Sequence, residues 1–236
     1  MIPKEQFTDL MAGIGMARAA AEYDAFKTYC EELKVWNGKM NLTAITDDEG
    51  IAVKHFADSL LPLTMVELPE RARVIDVGSG AGFPGLPMAI VRRDLRLTFL
   101  DSLNKRLIFL SELSELLGID AVTLHSRAED AGRNPVYREK YDVVTARAVA
   151  PLPQLAEYCL PLVNKNGIFL ALKGAAGREE AKSAENAIKT LGGVIEKITD
   201  YALPGGDARV LIVVRKVLPT HPRYPRETSQ IKKKPL

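Results

Sequence analysis

Apolar positions fall into two regimes along the chain. Up to about residue 70 they recur at spacings of three and four with few β-branched runs, which predicts helices over 6–20, 21–35 and 47–65. Asn37-Gly38 is expected to break the second helix, Thr46-Asp47-Asp48-Glu49 offers an N-cap candidate followed by acids suited to a helix start, and Leu68-Pro69-Glu70 closes the segment. From Arg73 onward short β-rich runs alternate with helical stretches. Strands are expected over 73–77, 95–101, 120–125, 141–146 and 167–173, with helices over 84–93, 103–117, 129–133, 151–163 and 177–191. This alternation is that of βαβ units on a parallel sheet. The last two β-rich runs, 193–201 and 209–217, are joined by Leu203-Pro204-Gly205-Gly206-Asp207, too short for a crossover helix, and should pair as an antiparallel hairpin. The expected fold is therefore α/β, a Rossmann-like, seven-stranded mixed sheet ending in an antiparallel hairpin. Residues 1–70 form an N-terminal helical cap, 71–217 the ligand-binding sheet domain and 218–236 a basic C-terminal tail.

Composition narrows the function classes without choosing one. With 236 residues, 47% of them hydrophobic, the chain can bury a substantial core, and no apolar stretch reaches the roughly 18 residues that would span a bilayer. Cys30 and Cys159 stand far apart, so neither a disulfide framework nor a metal site is expected, and a reducing cytoplasm fits best. Asn41-Leu42-Thr43 matches a glycosylation sequon, which without a secretory route is a chance match. The net charge of +2 conceals a gradient: residues 1–70 carry 6 Lys+Arg against 12 Asp+Glu, 71–217 carry 21 against 17, and 218–236 carry 5 against 1. An acidic front and a basic end argue against uniform coating of a polyanion, yet leave a basic face or arm for phosphate.

Ligands of open α/β sheets bind at the carboxyl ends of the strands, and the candidate chemistry collects there. The first strand ends at Asp76 and runs into Gly78-Ser79-Gly80-Ala81-Gly82, where glycines permit positive φ and close backbone approach; Pro84 suits a first helical position. Gly80 to Gly85 also fits G-x-G-x-x-G, which brings a nicotinamide or flavin dinucleotide into consideration. An acid two residues before the first glycine would repel pyrophosphate and favour a cationic ligand such as the sulfonium and amino groups of S-adenosyl-L-methionine. Asp101 closes the second strand 23 residues after Gly78, where a carboxylate can accept both ribose hydroxyls, although Asp101-Ser102 could equally cap the following helix. Ser126 to Asp130 follow the third strand, where adenine would lie, with Glu129 alternatively a first-turn helix acid. Arg147 and Lys173 end the fourth and fifth strands, as substrate-orienting groups or as an ordinary ion pair and a solvated lysine.

The chain resembles the bacterial small-subunit (16S) ribosomal RNA guanine-N7 methyltransferases, also called glucose-inhibited division protein B. The likeness rests on Trp36-Asn37 through Thr43, His55-Phe56-Ala57-Asp58-Ser59, Asp76 through Gly85, Asp101-Ser102-Leu103-Asn104-Lys105-Arg106, Arg147-Ala148 and Ala171-Leu172-Lys173-Gly174. It implies a class I S-adenosylmethionine-dependent methyltransferase that modifies a guanine in the 530-loop region of 16S rRNA. It also implies cofactor contacts at Gly78, Phe83, Ala128, Glu129 and Arg147, with Asp101, Ser102 and Leu103 near the ribose. Asp76, Gly80 and Gly82 complete the candidate cofactor set.

Guanine N7 carries a free lone pair and no proton, so it can attack a methyl sulfonium without a general base. Arg147 and Lys173 are accordingly expected to orient substrate, and no catalytic His or Cys is needed. His55 and Asp58 share a helix face and are expected to pair structurally, seating the cap over the cleft. Arg223, Arg226 and Lys232 to Lys234, with Tyr224 as a stacking residue, read as a flexible arm for RNA. Removing 219–236 should then weaken RNA binding and spare cofactor binding. The chain is expected to act as a monomer on 16S rRNA or the small subunit, with no metal and no membrane. Three rivals remain at this level: an RNA- or ribosome-binding protein whose cofactor pocket is regulatory or vestigial, a nicotinamide-dependent oxidoreductase, and a methyltransferase for small molecules or protein, against which only the basic tail and the resemblance speak.

Overall fold

The computed structural model describes residues 1–236. Its β-rich runs become β1 (Arg73–Val77), β2 (Arg96–Asp101), β3 (Ala121–His125), β4 (Tyr141–Arg147), β5 (Val163–Gly174), β6 (Gly193–Ala202) and β7 (Ala208–Lys216). They form one sheet in the order β3-β2-β1-β4-β5-β7-β6. Strands β1 to β5 are parallel, whereas β7 runs antiparallel to both β5 and β6, as the short Leu203–Asp207 connection requires. β1 lies between β2 and β4, so successive crossovers leave it in opposite directions and open a crevice at its carboxyl end.

The two sheet faces separate by the period-2 alternation of strand side chains. Val74, Leu170, Leu172, Leu211 and Val213 join one apolar core; Ile75, Phe169, Ala171, Ile212 and Val214 join the other. The first face is covered by α1 (Lys4–Gly13), a 3-10 turn (Ala17–Glu22) and α2 (Tyr23–Met40). It also receives the helical run over 48–65, made of α3 (Asp48–Gly50), a π-helical turn (Ile51–Ala57), α4 (Asp58–Leu60) and α5 (Pro62–Met65). Phe7, Phe26 and Phe56 from these turns share one core with Leu97 and Phe99 of β2 and with residues of α6 (Gly85–Val91) and α7 (Asn104–Leu116). On the second face lie α8 (Ala128–Arg133), α9 (Leu152–Cys159), α10 (Gly177–Thr190) and α11 (Thr228–Lys233).

Several expected boundaries move. The first helix stops at Gly13, and Gly15 adopts φ +75°, so the expected 6–20 helix divides in two. Asn37-Gly38 does not break α2, which continues to Met40 and stops where Asn41 takes a left-handed φ of 50°. One interior glycine costs a helix only about 1 kcal/mol, less than the burial of Phe26, Tyr29, Cys30 and Leu33 returns. Asp47 is the N-cap, its carboxylate accepting from the Gly50 amide at 2.6 Å. α9 ends at Cys159 instead of 163 because Pro161 has no amide hydrogen to extend it, and β5 starts four residues early, at Val163.

The largest departure is the C-terminal segment, expected as a flexible arm and found packed on α8 and α9. The Arg138 guanidinium donates to the carbonyls of Thr220 (2.6 Å) and Tyr224 (2.8 Å), and Arg133 Nε donates to that of Pro225 at 3.0 Å. Tyr224 and Ile231 are buried in the second core, so Tyr224 is not exposed for stacking on a base. Lys216, fully buried, donates to Glu139 Oε1 (2.9 Å), which also accepts from the Thr220 amide (2.7 Å) and so fixes the start of the segment. Lys232, Lys233 and Lys234 remain exposed.

Candidate cofactor and substrate site

Two cavities open at the carboxyl ends of the central strands. The first, about 390 Å³, is lined by Val77 and Gly78 after β1, Asp101 and Ser102 after β2, Ser126 to Glu129 after β3, and Ala148 to Pro151 after β4. The second, about 420 Å³, is lined by Lys54, His55 and Asp58 of the helical cap, Arg147 and Ala148, Lys173 and Gly174, Glu180 and Arg209. Ala148, in a left-handed conformation (φ 57°), lines both. The largest hollow, about 1010 Å³, lies at the opposite edge of the sheet, around Arg71, Arg73, Arg96 and Lys140 at the strands' amino ends, far from every strand-end motif.

The loop after β1 is shaped by its glycines. Gly78, Gly80 and Gly82 have φ of 68°, 58° and 99°, a region that disfavours any side chain. A Cβ on Gly82 would lie 2.7 Å from Tyr29 Oη and 2.8 Å from Leu110 Cδ2, and one on Gly78 would lie 2.7 Å from Val149 Cγ2. Asp101 pins the loop from below: its carboxylate accepts from the Gly80 amide (2.9 Å) and the Leu103 amide (2.9 Å), and Arg106 Nη1 stands 3.4 Å away. It serves no cap of α7, whose N-cap is Leu103. Its carboxylate remains on the first cavity's wall.

Asp76 is placed differently from the sequence expectation. It is buried beneath the loop, accepting from Thr145 Oγ1 (3.0 Å) and the Gly85 amide (3.2 Å), and it lines neither cavity. It therefore joins β1, β4 and the start of α6. Burial pushes its carboxyl up to about 6, against the pull of those two hydrogen bonds. Phe83 is also turned inward, with its ring stacked on Tyr29 (5.2 Å, 8°) and on His55 (4.3 Å, 19°). Leu103 is exposed beside the first cavity and is not among its lining residues.

Arg147 and Lys173 come together, but at the second cavity. Arg147 Nη1 donates to Asp58 Oδ2 (2.8 Å) and the Lys54 carbonyl (2.9 Å), Nη2 meets His55 Nδ1 at 3.1 Å, and the guanidinium lies 4.9 Å from the Phe83 ring centre. The expected His55–Asp58 pair is thus a shared grip on Arg147. His55 Nε2 meets Thr43 Oγ1 (2.8 Å), while Asp58 also takes the Tyr201 hydroxyl (3.2 Å) and Arg209 Nε (3.5 Å). Lys173 Nζ reaches the Ala150 carbonyl (2.7 Å) and Glu180 (2.7 Å), bracing the segment between the cavities.

Burial and the neighbouring Arg147 cation push His55 down to about 3. His55 releases a proton on folding between about pH 3 and 6.5, so its contribution to stability rises with pH across that window and is lost as the pH falls through it. Asp76 works in the opposite sense: it takes up a proton on folding between about pH 4 and 6, and its contribution falls as pH rises. His55→Asn is expected to remove a gain on the order of several kcal/mol between pH 3 and 6.5, read as urea midpoints across that range. Equal pH slopes for variant and wild type would contradict a neutral, buried imidazole.

The first cavity fits a nucleoside-containing cofactor. Glu129, nearly inaccessible on its wall, has an Oε1 with no hydrogen-bond partner, and a buried orphan acceptor calls for a donor from a ligand. Sequence reasoning missed Gln154 and Tyr158 of α9, and Thr228 and Lys232 of α11, all of which line this cavity. Gln154 and Tyr158 lie four apart on one helix face, a weak signal; α11 gave none, because only tertiary packing brings it there. Among the second cavity's residues, Lys54 and Arg209 were likewise missed. No cluster of three or more His, Cys, Asp or Glu is arranged to hold a metal, and no helix is long and apolar enough to cross a membrane.

Known proteins share this fold and much of this sequence. A solved structure of a SAM-dependent methyltransferase from Aquifex aeolicus matches with a TM-score of 0.55 at 15% identity, over 72% of this chain and 94% of that one, a likeness of fold. Proteins named ribosomal RNA small subunit methyltransferase G are similar over 98% of this chain and 99% of their own length. The one from Clostridium perfringens is 46% identical and the one from Lactobacillus delbrueckii subsp. bulgaricus 47%. The family model described as "GidB: rRNA small subunit methyltransferase G" matches residues 22–204, which hold β1 to β6 and both cavities apart from Arg209, Thr228 and Lys232. With the family model matching most of the chain and relatives similar over nearly its full length, the chain belongs to the GidB family of small-subunit ribosomal RNA methyltransferases.

Proposed function

We propose that this protein transfers a methyl group from S-adenosylmethionine to N7 of a guanine in the 530-loop region of 16S rRNA, acting as a cytoplasmic monomer on the RNA or the small subunit. The observation that carries the reading is the pair of cavities meeting at Ala148. The first offers carboxylates at Asp101 and Glu129, suited to ribose hydroxyls and to nitrogen-bound hydrogens. The second gathers Lys54, Arg147, Lys173 and Arg209 against Asp58 and Glu180, a cationic balance suited to an RNA strand. S-adenosylmethionine supplies an electrophilic methyl on a sulfonium. Guanine N7 needs no proton removed, so this chain's residues have to bind, orient and exclude water, not act as a base. Arg147 fixes the wall of the second cavity from the end of β4, and Lys173 holds the 148–150 segment from the end of β5. His55, pushed down to about 3, is neutral at physiological pH and leaves the cationic work to the arginines and lysines.

The test is to incubate the protein with labelled S-adenosylmethionine and ribosomal RNA, free and as small subunits from a strain lacking the enzyme, and to map the label. Label at a single guanine N7 is expected. Label at an exocyclic amine, a ribose or a pyrimidine would overturn the assignment.

A further inference from the structure

The C-terminal segment was expected to touch RNA alone, yet Thr228 and Lys232 stand on the wall of the first cavity. They are four residues apart on α11 and therefore share its inward face. The same cavity is lined by Asp101, Ser102 and the Ser126 to Glu129 turn after β3. The segment is held at both ends. Upstream, Arg226 clamps on the fully buried Glu157 of α9 through Nη2 to Oε2 (2.6 Å), Nε to Oε1 (2.9 Å) and its own amide to Oε1 (2.8 Å). Pro225 lies against Gly132 of α8, where an added Cβ would meet its ring at 3.1 Å. Downstream, Ile231 is fully buried and Leu236 packs on the same core. An arm needed only for long-range attraction to phosphate would not require hydrogen bonds donated by Arg226 to one buried carboxylate to set its position.

We infer that the docked C-terminal helix is part of the cofactor site, Thr228 and Lys232 supplying hydrogen-bond donors to acceptor nitrogens of the adenine ring. The inference rests on reading the first cavity as the S-adenosylmethionine site. A hydroxyl and an ammonium are suited to those nitrogens, whereas the unpartnered Oε1 of Glu129, in the same cavity, accepts from the amino group. Lys233, the last residue of α11, and Lys234, just beyond it, lie outside the cavity and are left for RNA.

The full-length protein is titrated calorimetrically with S-adenosylmethionine and, separately, with S-adenosylhomocysteine, which shares the adenine but lacks the sulfonium charge. Thr228→Ala/Lys232→Ala is expected to weaken both ligands alike, about tenfold, by loss of two donors. Lys233→Ala/Lys234→Ala is expected to leave both affinities at the wild-type value. The side chains of the first pair are not part of the core, and an unchanged thermal midpoint verifies the fold. Wild-type affinity in the first variant overturns the inference while leaving the cofactor reading intact. A change confined to S-adenosylmethionine overturns the adenine contact. Failure of the wild-type protein to bind either ligand overturns the cofactor reading, and the inference with it.

Discussion

Arg226→Ala is expected to lower the unfolding free energy by about 3–5 kcal/mol, because it leaves the Glu157 carboxylate, fully buried in α9, without its partner. For a chain of this length that corresponds to a thermal midpoint lower by on the order of 10 °C. The loss measures an uncompensated charge more than the worth of the pair. The double variant Glu157→Leu/Arg226→Met, which removes both charges and keeps apolar volume, should therefore recover most of the stability. Urea unfolding of the single and double variants checks this. A single variant within about 0.5 kcal/mol of wild type would show that the clamp contributes nothing.

Arg147→Ala is expected to reduce methyl transfer about 100-fold or more while leaving S-adenosylmethionine affinity unchanged. Arg147 lines the second cavity and not the first, and it joins the end of β4 to the helical cap through Lys54, His55 and Asp58. Without it the cap and strand end lose a shared anchor, and misplacement of a substrate by even an ångström costs about that much in rate. Asp58 retains Tyr201 and Arg209, so the fold should survive at a cost of about 1–3 kcal/mol. Arg147→Lys keeps the charge but lacks the fork that reaches Asp58 and His55 together, and should recover only part of the rate. The measurements are kcat/KM with RNA and cofactor affinity by calorimetry. A variant with wild-type methyl transfer would remove Arg147 from the reaction.

The strand-end motifs were legible because their signals are local. Glycines at 78, 80 and 82 are required by positive φ, and Asp101 follows a β-rich run at the spacing of the first crossover. The inward turn of Asp76 and Phe83 was not legible. Their side-chain directions are set by Thr145, Tyr29 and His55, which lie 28 to 69 residues away in sequence. In the structure both side chains hold the loop's shape, Asp76 through Thr145 and Gly85, Phe83 through Tyr29 and His55. Pro161 was a readable stop signal for α9, passed over because the apolar pattern continued beyond it.

By itself the sequence determined the α/β class, the seven strands, the terminal hairpin and the loop at the crevice, since these follow from hydrophobic period, turn length and the conformational freedom of glycine. Only the tertiary structure decided that the crevice holds two cavities, that Arg147 faces the cationic one, and that the basic C-terminal segment is folded onto the other. The last of these depends on burying Glu157, Tyr224 and Ile231 together, and the placing of Arg147 on its contacts with Lys54, His55 and Asp58. Such burial is a property of surfaces brought together by the sheet, and no window of neighbouring residues contains it.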